Sequence, residues 1–142
     1  MRDQGAVRSF LLDVFYWGPN GYHKMLFFCD GKGGMVITML YNAIGEFKTD
    51  VLNWTAIYQL EFDRNELNLS NSEILQSVRS SGPQYVSTVV RVSDRIRKRF
   101  STAPVVVGFK MLPPSGQIYA GWASDFASGR DKYFAFEKTC RR

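Results

Sequence analysis

One histidine, two cysteines and five prolines stand in the 142 residues, and no apolar run is long enough to cross a bilayer. Each scarcity excludes something. The lone His23 leaves a single imidazole for general-base chemistry, and its place beside Tyr22 and Lys24 at a turn reads as a surface position. Cys29 lies six residues further along the same strand pattern, roughly 20 Å away, so the two form no dyad within one straight strand. Cys29 and Cys140 are too few and too far apart for a disulfide scaffold or a metal knuckle; two buried free thiols in a reducing compartment are expected. No His, Cys or carboxylate cluster has a metal-ligand spacing, and neither zinc nor another cofactor is expected.

The apolar run Ser9-Phe10-Leu11-Leu12 is interrupted by Asp13 and lacks a small-residue cleavage site, so no secretory signal is expected. No segment approaches the roughly 20 apolar residues of a membrane span. These readings point to a cytoplasmic or nuclear protein. Asn53-Trp54-Thr55 and Asn68-Leu69-Ser70 match the glycosylation pattern, which matters only on export. There is no internal repeat, low-complexity tract or linker, and residues 1–142 are expected to form one domain.

What is abundant is apolar, aromatic and basic. The chain is 45% hydrophobic and holds 11 Phe, 7 Tyr and 3 Trp, enough to build one core without help. Its formal charge is +5, and five of its 18 basic residues fall between Arg91 and Arg99. Charge of this size speaks of anionic partners rather than of chemistry.

Residues 7–17 read as a strand ending at the turn formers Gly18-Pro19-Asn20-Gly21. His23–Cys29 and Met35–Tyr41 read as a hairpin joined by Asp30-Gly31-Lys32-Gly33-Gly34, whose glycines supply positive φ angles. A short strand is expected over 45–51. From Asn53 to Arg64, Trp54, Ala56, Tyr58, Leu60 and Phe62 alternate with polar residues, a half-buried strand in which only Ile57 spoils the pattern. Ser70 with Glu73 matches a capping box, so a helix is expected over 71–79.

A second helix is expected from Pro83 to Phe100. Tyr85, Val86, Val89, Val92, Ile96 and Phe100 would share its apolar face, and Arg91, Arg95, Lys98 and Arg99 the opposite one. Strands are expected at 105–112, 117–126 and 132–140. The fold class is thus α+β: an antiparallel sheet or partly open barrel built from two β-meanders, of four to five strands and then three, with two helices inserted between them. Val89, Val92, Ile96 and Phe100 would enter the same core as Trp54, Tyr58 and Phe62.

For function, Gly31-Lys32-Gly33-Gly34 lacks the Gly-Lys-Ser/Thr ending of a phosphate loop and precedes a strand, so it reads as a hairpin whose Lys32 touches phosphate as an accessory. Glu61 and Asp63 sit about 7 Å apart on one strand face, a spacing met in paired-carboxylate enzymes, but a solvated face explains them. No enzyme activity is expected. The leading expectation is a non-enzymatic protein that binds RNA or DNA by phosphate contacts from Arg91, Arg95, Arg97, Lys98 and Arg99, with Lys32 and the Arg141-Arg142 tail as accessories. Tyr119 and Trp17 are the stacking candidates. The competing expectation for this stripe is internal pairing with Glu61, Asp63 or Glu66. Two other readings stay open: a viral-type matrix or capsid-like protein that self-associates as a homo-oligomer and contacts anionic membrane or genome, and an inhibitor or effector bound to an acidic protein surface.

Overall fold

The computed structural model describes residues 9–12, 14–15, 23–53, 56–113 and 120–141. Among the described residues, ten strands form two open antiparallel sheets. The first has the order β1 (Ser9–Leu12), β3 (His23–Cys29), β4 (Met35–Asn42), β8 (Tyr85–Arg91), β7 (Ile74–Ser80). The second runs β2 (Val14–Phe15), β10 (Ala120–Asp125), β9 (Val106–Leu112), β5 (Ile57–Phe62), β6 (Asn65–Asn68). The helices are α1 (Gly45–Leu52), α2 (Asp94–Ser101) and α3 (Phe126–Cys140). The class is therefore α+β with antiparallel sheets.

Alternation dictates which faces meet. Met35, Ile37, Met39 and Tyr41 of β4 are buried while the residues between them are half-buried, and Tyr58, Leu60 and Phe62 of β5 are buried from the other sheet, with Gln59 buried between them. The two inner faces pack together. Tyr41 lies 6.3 Å from Phe109, ring centre to ring centre, and donates its hydroxyl to the Met111 sulfur at 3.6 Å. Tyr58 accepts the Val78 N–H at 3.0 Å across the same gap. Ile57, the residue out of pattern, points outward and is exposed. The run at 7–17 is divided, β1 joining one sheet and β2 the other.

Helices α2 and α3 wedge between the sheets. Phe100 of α2 stacks on Tyr133 of α3 at 4.8 Å and meets Phe62 at 5.0 Å, Phe126 at 5.4 Å and Phe27 at 5.8 Å. All five rings are buried, and edge-to-face pairs of this kind add to simple area burial. Val92 and Ile96 are buried beside them, as expected, whereas Val89 is half-buried on the outer side and Trp54 lies outside the described residues.

Four segments differ from the expected elements. Residues 45–51 form α1, not a strand: Phe47 and Val51 are four apart and turn inward together, and Asn53 donates its amide to the Thr49 carbonyl at the helix end. Residues 74–80 form β7, not a helix. Ser70 and Glu73 do make the local contact of a capping box, Ser70 N–H donating to Glu73 at 2.8 Å, but only a turn follows. The segment 83–100 is not one helix. Val86, Thr88, Val89 and Val90 are β-branched, lose rotamer freedom in a helix and fit a pleat, so 85–91 become β8 between β4 and β7. Ser93 then starts α2, its hydroxyl accepting from the Ile96 N–H. Residues 132–140 are helix too, since Phe126, Tyr133, Phe136, Glu137 and Cys140 share one buried stripe at helical spacing.

That last change brings the cysteines together. Cys140 ends α3 against the end of β3, and it forms a disulfide with Cys29, their Cα atoms 5.0 Å apart. The expectation of two free thiols is corrected: a strand over 132–140 hid the approach that the helix makes. Among the described residues no helix is long and apolar enough to cross a membrane.

A candidate anion-binding groove

Where the β3–β4 hairpin, the end of β8 and the start of α2 converge, they leave an open groove of about 530 Å³. The hairpin tip is held locally. Asp30 accepts the backbone N–H groups of Lys32 at 2.7 Å and Gly34 at 2.9 Å, and Gly31 and Gly33 take φ of 80° and 87°, as the tight turn demands. Burial alone would raise the Asp30 carboxyl, but those N–H groups and the Lys32 charge bring it below its ordinary value. A Cβ on Gly34 would come within 2.7 Å of the Asp30 carboxylate and would push that carboxylate aside. The result presents Lys32 at the groove, exposed.

The opposite wall is built around Glu73, which is 2% exposed. Arg95 grips it in a two-pronged contact, Nε to Oε2 at 2.8 Å and Nη2 to Oε1 at 2.6 Å, and a further Arg95 N–H donates to the Asn68 carbonyl. Ser93 also donates its hydroxyl to Glu73, and the backbone of Ser70 adds another bond. The Arg95 hydrogen bonds, followed by those of Ser70 and Ser93, outweigh burial and hold the Glu73 carboxyl down at about 2. Arg95 rises correspondingly, chiefly through its hydrogen bonds to Glu73.

The expected cations therefore separate into groups. Arg95 is consumed by Glu73. Arg97 lies 3.7 Å from Asp94 and 3.5 Å from Glu137, the latter an ion pair without hydrogen-bond geometry, so its Nε has no hydrogen-bond partner among the described residues. Arg99 turns its guanidinium over the Phe62 ring at 5.8 Å and does not line the groove. Lys98 is exposed and also outside it. Arg91 ends β8 opposite Val36; its backbone N–H donates to the Glu73 carbonyl at 2.7 Å, and its side chain is exposed in the groove. Neither Arg91 nor Lys32 has a carboxylate within ion-pairing distance among the described residues. The continuous helical stripe is corrected: these residues straddle a strand and a helix and do not share one face.

The carboxylates expected to neutralise the stripe do other work. Glu61 and Glu66 face each other across the β5–β6 hairpin and hold Lys110 between them at 2.6 and 2.7 Å, raising its pKa. Asp63 sits in the turn with φ of 50° and accepts the N–H groups of Val105 and Val106, so it is no catalytic partner for Glu61. The real counter-charges are Glu73, Asp94 and Glu137. Glu73 was visible in the sequence only as a helix signal, and Glu137 only as part of a strand pattern. Glu137 also pairs with Arg141 at 3.1 Å, while Arg142, Tyr119 and Trp17 lie outside the described residues, as does the side chain of His23. Cys29 is held in the disulfide and offers no thiol.

Chemically the groove offers two cations outside any ion pair among the described residues and the hydroxyl of Ser72, the Ser70 hydroxyl being donated to Glu73, and its described lining residues include no aromatic ring. That set suits an anion rich in acceptor oxygens. No protein-family model, curated protein or solved structure matches the chain.

Proposed function

We propose that the protein binds nucleic acid through phosphate contacts in this groove, without reading base sequence. The observation that carries the reading is the pair Lys32 and Arg91, brought from separate elements to one concave surface while the cations around them are already paired. Arg95 and Arg97 then shape the wall, and Lys98 is an outlying contact. With two or three phosphates neutralised, log affinity should fall with log salt at a slope of about −2 to −3 on double-stranded DNA and slightly less on single strands. Fluorescence anisotropy with single- and double-stranded RNA and DNA at low and moderate salt tests this; binding indifferent to salt would overturn it.

A second reading draws on a different observation. A disulfide persists in oxidising compartments and is rare in the cytosol or nucleus, which favours an exported protein over the cytoplasmic or nuclear one expected. There the same cations would dock on an acidic protein surface, as an inhibitor or effector does. Free-thiol labelling of the protein as isolated from its native compartment separates the two: fully oxidised protein favours export, and quantitative labelling of Cys29 and Cys140 favours the nucleic-acid reading.

A further inference from the structure

The groove has the shape and charge of a receptor for one phosphate group rather than for a row of them. Among the described residues lining the groove, the cations outside any ion pair are Lys32 and Arg91, which face a single concavity of about 530 Å³, within the size range of small-ligand sites. The neighbouring cations of α2 do not extend it, since Arg99 is laid over Phe62 and Lys98 stands outside the groove. Asp94, fully exposed at the start of α2, stands on the rim, where it would repel a backbone continuing past the groove. An internal phosphodiester brings one negative charge, whereas a phosphomonoester brings about −1.5 to −2 at pH 7 and three acceptor oxygens. Two open cations with the Ser72 hydroxyl match the second ligand better, the Ser70 hydroxyl being already donated to Glu73.

We propose that the groove holds the terminal phosphomonoester of a nucleic-acid strand, with Lys32 and Arg91 as its two charged contacts. The proposal rests on the nucleic-acid reading above and narrows it from backbone to strand end. Since the described residues lining the groove include no ring, they offer the terminal base no stacking partner and no selection of its identity.

The test is a titration of two internally labelled single strands of the same sequence, one ending in phosphate and one in hydroxyl. At pH 7.5 the phosphorylated strand should bind about tenfold more tightly. The advantage should shrink as pH falls through about 6, where the phosphomonoester takes up its second proton. The groove's charged groups among the described residues are Lys32, Arg91, Arg95 and Arg97 with Asp30, Glu73 and Asp94, and none of them is a histidine that would imitate that profile. Arg91→Gln or Lys32→Gln should abolish the preference, and Lys132→Gln, exposed on α3 and outside the groove, should retain it; both groove side chains are exposed, and near-ultraviolet circular dichroism checks that the variants fold. Equal, salt-sensitive affinity for the two strands would overturn end recognition while leaving the nucleic-acid reading in place. Binding of neither strand would overturn both, and binding of a phosphoserine peptide under those same conditions would assign the phosphate site to a protein ligand instead.

Discussion

The two sides of α2 are held by different physics. On one side Ile96 and Phe100 sink into a cluster of rings from both sheets and α3, where shape and volume decide stability. On the flanks to either side of that face, Arg95 and Arg97 reach carboxylates on β7's leading turn and on α3, where geometry and charge decide. The difference teaches why the groove exists. A helix anchored so firmly can carry several cations, and the carboxylates that neutralise Arg95 and Arg97 leave Lys32 of the β3–β4 hairpin and Arg91 of β8 open.

Breaking the apolar side should have the largest effect. Phe100→Ala removes a ring that contacts four others and should cost about 3 to 5 kcal/mol, seen as a large fall in Tm or as failure to fold. The paired change Cys29→Ser/Cys140→Ser comes next. The disulfide closes a loop with a sequence separation of 111 residues, and its loss should cost about 2 to 5 kcal/mol by denaturant titration.

The charged side should yield less and should reveal itself through pH. Arg95→Ala leaves Glu73 buried without its main partner and should cost on the order of 2 kcal/mol. Glu73 is depressed from an ordinary 4.5 to about 2, so its contribution is complete above pH 4.5 and disappears as pH falls towards 2. Acid titrations of the wild type and Arg95→Ala should therefore converge at the low end of that range. Parallel curves throughout it would contradict the pairing.

Tyr133→Phe sharpens the comparison from inside the cluster. Its hydroxyl is buried with no hydrogen-bond partner among the described residues, and burial, then the nearby Glu137 charge, pushes its pKa upward. Removing a polar atom that bonds nothing should change stability by less than about 1 kcal/mol, in either direction, while leaving the ring contacts intact. A larger loss in thermal unfolding would mean that the hydroxyl has a partner.

Much of this architecture is legible in the sequence wherever alternation and glycine turns agree. The strands at 23–29, 35–42, 57–62 and 106–112 lie where their patterns place them, and even Ile57 falls on the outward face that its position assigns. The segment 83–100 misleads for a physical reason. Val86, Val89, Val92, Ile96 and Phe100 satisfy a helical period only when counted across the break at Ser93, and the β-branched run before that break was the better guide. In α3, Tyr133, Phe134 and Phe136 crowd so closely that both periods fit. The N-cap at Asp125, which accepts from the Ser128 N–H, was the available start signal. Of the candidate site, Lys32 and Arg91 could be named from charge and turn chemistry. Their separation from Arg95 could not, because it depends on Glu73 arriving from another strand's approach.

The central claim is that Arg95 maintains the wall and Arg91 meets the ligand. It is tested most directly by measuring Tm and terminal-phosphate strand affinity side by side for Arg91→Ala and Arg95→Ala. The account predicts that Arg91→Ala keeps the wild-type Tm within the range of ordinary surface changes but loses most of the affinity, whereas Arg95→Ala lowers Tm. Arg91→Ala that binds as the wild type does, or that destabilises as much as Arg95→Ala, would contradict it.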